Sequence, residues 1–221
     1  MKKKISLLTL IVVMIAFVSC KQASKNGNDN QQENLTAMKD SVKTVPVTDA
    51  VVIVLLAHPD INKSHMNAML SQAAAEVEGV QVINIYDYPV APDVYRDVVK
   101  QAKGIVYEFP FYWMSAPHLL KDEVFMAFTQ EGLIEGKEFM VVTTTGSEEA
   151  AYQHDGRNKY TMSEYLRPYE GQANHSKMIW NDPLVVYGNP QNATVAEENL
   201  QKGKEEYKAR LKAMVERVNI K

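Results

Sequence analysis

With 221 residues and 46% hydrophobic content, the chain can bury one substantial core and has no room for two full domains. A formal charge of −3 leaves no surplus of cations for a nucleic-acid backbone, so no nucleic-acid partner is expected. Cys20 is the one Cys, which excludes an internal disulfide, an iron–sulfur centre and a zinc–thiolate cluster.

Lys2, Lys3 and Lys4 open the chain, Ile5–Val18 is a largely apolar run, and Ser19-Cys20 closes it. This is the plan of an export signal, too short and wrongly flanked for a membrane span. It resembles a bacterial lipoprotein signal, with Cys20 as the lipidated N-terminus and Phe17 where Leu is usual. That resemblance implies loss of residues 1–19 and a lipid-anchored protein of the cell envelope, on the periplasmic side of the inner or outer membrane. Removing three Lys from 24 basic residues leaves 21 against 27 acidic ones. Residues 20–48 are polar and poor in aromatics, which predicts a disordered tether. A multiply acylated Cys would anchor firmly where one acyl chain binds weakly. The folded domain is expected over residues 49–221.

From Ala50 onward, short apolar runs alternate with longer amphipathic ones. Val51–Ala57 reads as a buried strand, and Ser64–Val77 as a helix stopped near Gly79. Val80–Tyr88 reads as the second strand, followed by a helix over Asp93–Lys103 opened by Pro92. Gly104–Phe111 is the third strand, Pro117 to about Phe128 the next helix, and Lys137–Gly146 the fourth strand. A helical region over Thr161–Lys177 leads to a fifth strand, Pro183–Gly188. The last helix runs from Thr194 to about Val218, with Thr194 as N-cap and Glu197 completing a capping box. Five strand–helix alternations predict an α/β fold, a parallel sheet covered on both faces. In such sheets ligands sit beyond the carboxyl ends of the strands.

The first of those ends, "AHPDINKSHMN" from Ala57 to Asn67, admits three readings. Pro59, Asp60 and Ser64 suit a plain turn and helix cap. "AHPD" resembles the opening of the PIG-L deacetylases, but Ile61 and Asn62 stand where Asp and Glu belong, and His118, His154 and His175 lie singly. A hydrolytic zinc site needs about three ligands, so no metal is expected. Third, Ser64 and Asn67 at a helix start could present donors to a phosphate dianion. The third strand ends in "FPFYWMSAPHLLK", with five aromatics between Tyr107 and Trp113, either packed in a seam or covered by a flat ligand. The fourth ends in "TTTGSEEAAY", where hydroxyls, amides and Gly146 allow close approach. A phosphate-type loop, an aromatic loop and a small polar loop together suit FMN or FAD.

These motifs, with "YLRPYEGQANHSKMIWNDPLVVYG" after them, occur in an order that resembles the flavodoxin-like NAD(P)H dehydrogenase (quinone) family. The likeness is greatest to the small bacterial quinone reductases that include ancillary subunits of glutathione-regulated potassium-efflux systems. It implies a flavodoxin-like three-layer sandwich with a five-stranded parallel sheet. It further implies that His58, Ser64, Met66 and Asn67 hold the phosphate, that Pro110, Phe111, Tyr112 and Trp113 line the flavin ring, and that Thr144, Thr145 and Gly146 meet its pyrimidine edge. Family chemistry is two hydride transfers through one site, from NAD(P)H to flavin and from flavin to a quinone. Tyr152 could donate a hydrogen bond to developing charge, or pack as a plain ring. Relatives are commonly dimers, which implies a homodimer. The segment after Lys121 is shorter than in the family and lacks its Trp, and Ser147 replaces a common Gly. No covalent flavin-attachment motif is present, so the flavin would be held reversibly. Export separates the protein from cytoplasmic nicotinamide nucleotides, so either another donor serves it or it is a tethered flavodoxin-like binding or regulatory module without turnover.

Overall fold

A computed structural model describes residues 43–121 and 124–220. The export signal, Cys20 and residues 21–42 lie outside the described residues.

Strands β1 (Val52–Leu56), β2 (Val80–Asn84), β3 (Gly104–Pro110), β4 (Glu138–Thr145), β5 (Ile179–Trp180) and β6 (Leu184–Tyr187) form one sheet. Its order is β2-β1-β3-β4-β5, with β6 also beside β4, and every pairing is parallel. β1, β3 and β4 are buried along their whole length, as their apolar runs require when both faces are covered. On one face Ile53, Leu55, Ile105, Tyr107 and Val141 pack beneath helices α2 (Pro92–Gln101), α3 (Val124–Gln130) and α4 (Met162–His175). On the other, Val52, Val54, Val106, Met140 and Val142 meet α1 (His65–Ala75) and α5 (Ala193–Ile220). Each such side chain taken out of water contributes about 1.5–3 kcal/mol. Gly203 lets α5 lie close on β6, because a Cβ there would sit 2.5 Å from Val186 Cγ2.

The expected α/β fold is therefore present, with local departures. Residues 43–48, assigned to the tether, lie along the domain, and Val45 is 4% exposed within the core. The second strand stops at Asn84, paired with the last residue of β1. Beyond it the Asn84 side chain accepts the Tyr86 amide and Ile85–Asp87 turn as a short 3₁₀ segment. The helix expected over Pro117–Phe128 is instead a 3₁₀ turn, His118–Lys121, followed by α3. The fifth strand comes in two pieces, β5 against Glu138 and Phe139 and β6 against Val142–Thr145, separated at Asn181–Pro183, where proline lacks a ladder donor. α5 is capped by Asn192, whose Oδ1 accepts the amides of Thr194 and Val195. Glu197 turns instead to His65 and Gln201. The capping box belongs to α4, between Thr161 and Glu164.

Candidate functional site

The carboxyl ends of β1, β3 and β4 bring the first and third loops into contact. Ser64 caps α1 and accepts the Asn67 amide at 3.4 Å. Asn67, itself buried, donates its two side-chain protons to Ser64 Oγ at 2.8 Å and to Thr144 Oγ1 at 2.9 Å. The amide therefore fixes two hydroxyls as acceptors, and each keeps its own proton to give away. Beside them the first-turn amides of α1 have no intrahelical partner. Asn67 Oδ1 itself is buried without a partner.

His58 is buried just past the end of β1. Its Nδ1 accepts the Asp60 amide at 3.1 Å, which puts the proton of the neutral ring on Nε2, 3.1 Å from Tyr112 Oη. Burial holds the imidazole below its ordinary pKa, against the smaller opposing effect of Asp60, so the ring stays neutral. Met66 is partly buried and packs against the α1–α5 side of the core.

The aromatic loop divides in a way its spacing did not indicate. Pro110 is buried and pairs with Thr144. Phe111, expected on the flavin ring, turns into the core, edge-on to Tyr152 and Tyr165 at centroid distances of 6.0 and 5.4 Å. Tyr112 leans over His58. Tyr112 and Ser115 bond reciprocally through their backbones at 2.8 and 2.9 Å, so Trp113 and Met114 form a two-residue turn with φ of 44° and 60°. Trp113 is 97% exposed.

At the end of β4, Thr145 Oγ1 donates to the Ser147 carbonyl at 2.6 Å, so this hydroxyl shapes the loop. A Cβ at Gly146 would meet nothing within 4 Å, whereas at Gly188, just past β6, it would lie 2.6 Å from Thr145 O. The loop is thus braced from the β6 side and open above Gly146. Tyr152 is buried, with its ring against Phe111, Tyr165 and Tyr187. Burial raises its pKa, while Ser147, Arg157 and Thr145 act the other way. Arg157 hydrogen-bonds Ser147 Oγ. His154 is exposed and pairs with Glu164, not with the loop.

Sequence reasoning missed Glu108 and Gly188. Glu108 is wholly buried on β3, accepting from Tyr207 Oη at 3.0 Å through Oε2, with Oε1 unpartnered. Its signal was a carboxylate in the middle of an otherwise apolar strand. Among the described residues no three His, Cys, Asp or Glu converge on a metal-sized site.

A family model described as a flavodoxin-like fold matches residues 50–211. The chain belongs to the flavodoxin-like fold family. This flavodoxin-like chain is 36% identical over 151 residues to the glutathione-regulated potassium-efflux system ancillary protein KefG of Enterobacter sp. (strain 638), spanning 62% of this chain and 81% of that one. Among solved structures it resembles an NADPH-quinone reductase from P. pentosaceus, with TM-score 0.60, 27% identity and coverage of 71% of this chain and 96% of the other. General stress protein 14 from Treponema denticola, solved in complex with FMN, shares the fold at TM-score 0.62 and 22% identity, covering 74% of this chain and 98% of that one.

Proposed function

We propose that this flavodoxin-like domain is an oxidoreductase that holds FMN or FAD non-covalently and passes hydride equivalents from a reduced donor, NAD(P)H or another, to a small acceptor of quinone type. We further propose that it works outside the cytoplasm, lipid-anchored through Cys20. The observation that carries the reading is the Asn67 bridge, which leaves the hydroxyl protons of Ser64 and Thr144 free beside the open first turn of α1. Those donors fit a phosphate, and the open space above Gly146 with the exposed Tyr112–Met114 turn fits a flat ring. The likeness to an NADPH-quinone reductase supports the same chemistry.

The flavin, when bound, supplies the two-electron chemistry. The chain's own residues do the rest. Ser64, Thr144 and the first-turn amides would hold the phosphate, with Asn67 locking both hydroxyls. His58 keeps its Nε2 proton on Tyr112 and so fixes that ring. Tyr152, kept protonated by burial, would hold its Oη proton beside the β4 loop, ready to hydrogen-bond to developing negative charge. Phe111 and Tyr165 close the floor around it against water.

The test is titration of residues 21–221 with FMN and with FAD, followed by absorbance. A flavin band that shifts on binding is expected, with affinity about tenfold weaker in Ser64→Ala and weaker also in Trp113→Ala, and with turnover of an artificial donor and a quinone. No saturable binding of either flavin would overturn the enzyme and leave a tethered module.

A further inference from the structure

Residues 43–50 reach β1 by a detour. Beside the start of β2, Thr48 Oγ1 donates to Gln81 Oε1 at 2.9 Å, and Gln81 Nε2 donates to Pro46 O at 2.8 Å. Farther back, Val45 donates its amide to Val94 O at 3.0 Å and buries its side chain in the core on the α2 side of the sheet. Lys43 Nζ then meets Asp87 O at 3.0 Å and lies 4.5 Å over the Tyr88 ring, just past the carboxyl end of β2. An extended strap of this length covers about 25 Å. It moves the point where the preceding chain leaves the domain from the amino end of the sheet to the rim that carries the site.

The same rim carries the exposed apolar side chains. Of eight large hydrophobics exposed among the described residues, five stand here: Val90 after β2, Tyr112, Trp113 and Met114 after β3, and Tyr160 after β4. A flavin could cover the β3 loop, but Val90 and Tyr160 belong to loops on either side of it. Trp and Tyr favour the headgroup region of a bilayer, where a ring meets hydrocarbon and a polar edge meets water. From Cys20 to Lys43 the chain can span at most about 80 Å, enough to let this rim touch a membrane and too long to hold it there. The rim's own side chains must supply the contact.

We propose that the site-bearing end of the domain rests on a lipid bilayer, with the outer edge of the Trp113 indole in the headgroup region and its inner face left to the flavin ring, so that a lipid-soluble acceptor enters the site from the membrane. This rests on the lipidated-Cys20 reading above. It draws on apolar contact alone, since the chain's surplus of acidic residues gives no attraction to anionic lipid.

The test uses the full chain expressed with its leader, purified from membranes, freed of flavin and placed on phosphatidylcholine vesicles with or without brominated acyl chains. The chain has two Trp, and Trp180 packs on Phe139, so Trp113→Phe identifies the emission of Trp113. Brominated lipid is expected to remove that share and leave the rest. Protein that floats with the vesicles but emits equally in both lipids overturns the proposal while leaving the anchor standing. So does cross-linking that shows a second copy covering Trp113. If wild type and Cys20→Ala alike fail to float, the anchor reading falls and this proposal with it. Loss of flavin binding would touch neither result.

Discussion

The two ends of the sheet treat their polar groups in opposite ways. At the amino end, Glu138 opens β4 as a buried carboxylate held in a fork by Arg217, with Nε at 3.1 Å from both oxygens and Nη2 at 2.6 Å from Oε2, while Nη2 also reaches Asn181 Oδ1 at 2.9 Å. Lys103 Nζ caps the Val218 carbonyl of α5 at 3.0 Å, and Lys137 bonds the carbonyl of Ala102. At the carboxyl end, Asn67 Oδ1 is buried without a partner, and two consecutive non-glycine residues hold left-handed backbone. One end spends its hydrogen bonds on the fold; the other leaves capacity over, which is what a ligand can use.

If that division holds, breaking the amino end should cost stability and spare binding. Arg217→Ala strands the Glu138 carboxylate in the interior, and about 3 kcal/mol should be lost, somewhat less if water reaches the half-exposed Arg site. Urea unfolding measures the loss. Flavin affinity measured below the transition should stay within about twofold, since α5 ends at the far side of the sheet; a tenfold fall would erase the distinction between the ends.

Between the two ends, inside β3, Glu108 is a buried carboxyl that belongs to neither. Burial raises its pKa to about 8, the Tyr207 hydrogen bond acting against this. The folded state thus keeps a proton that the unfolded chain releases above its ordinary value near 4.5, so the group is neutral in cost at pH 4, costs progressively more as pH rises, and reaches its full cost above about pH 8. Glu108→Gln should therefore stabilise the domain by up to about 4 kcal/mol at pH 8 and scarcely at all at pH 4. Denaturation midpoints at the two pH values decide it, and an equal effect at both would show that the carboxyl is not the source.

A smaller effect is expected at Ser64. Removing the cap hydroxyl in Ser64→Ala should cost about 1 kcal/mol of stability and weaken FMN roughly tenfold. Both the α1 cap and one of the two free hydroxyl protons are lost. Thr144→Val keeps the cap but leaves a buried Asn67 side-chain proton without its acceptor, so it too should cost about 1 kcal/mol while removing the other free hydroxyl proton and weakening FMN.

Much of this was written in the sequence in a form that periodicity can read. Val51–Ala57, Gly104–Phe111 and Lys137–Gly146 are largely apolar because both faces are covered, and Ser64 before a helical pattern marks the residue that caps α1. What escaped is set by contacts distant in sequence. Val45 is one apolar residue in a polar stretch, and nothing local says that Val94 accepts its amide. Asn192 and Thr194 are both good caps, and choosing between them depends on where the loop leaves β6. That Phe111 turns inward and Trp113 outward follows from the Tyr112–Ser115 bridge, a pairing with no alternating pattern to announce it. The Asn67–Thr144 bond joins residues 77 apart, and only the parallel pairing of β1, β3 and β4 brings them together.

The turn at Trp113 and Met114 tests the division most directly. A two-residue hairpin with both central residues at positive φ strongly prefers Asn-Gly, because side chains with a Cβ crowd the backbone in that region. Trp113 and Met114 hold bulky side chains in that backbone region, at a cost on the order of 1 kcal/mol for each. Replacing both, Trp113→Asn with Met114→Gly, should relieve that strain and raise stability by about 1–2 kcal/mol while the Tyr112–Ser115 bridge persists. Flavin affinity and quinone turnover should fall in the same variant, since the exposed indole goes with the strain. A variant that gained stability and lost nothing else would mean that the turn is only a turn. One that lost stability would mean that the indole, despite its exposure, holds the loop in place.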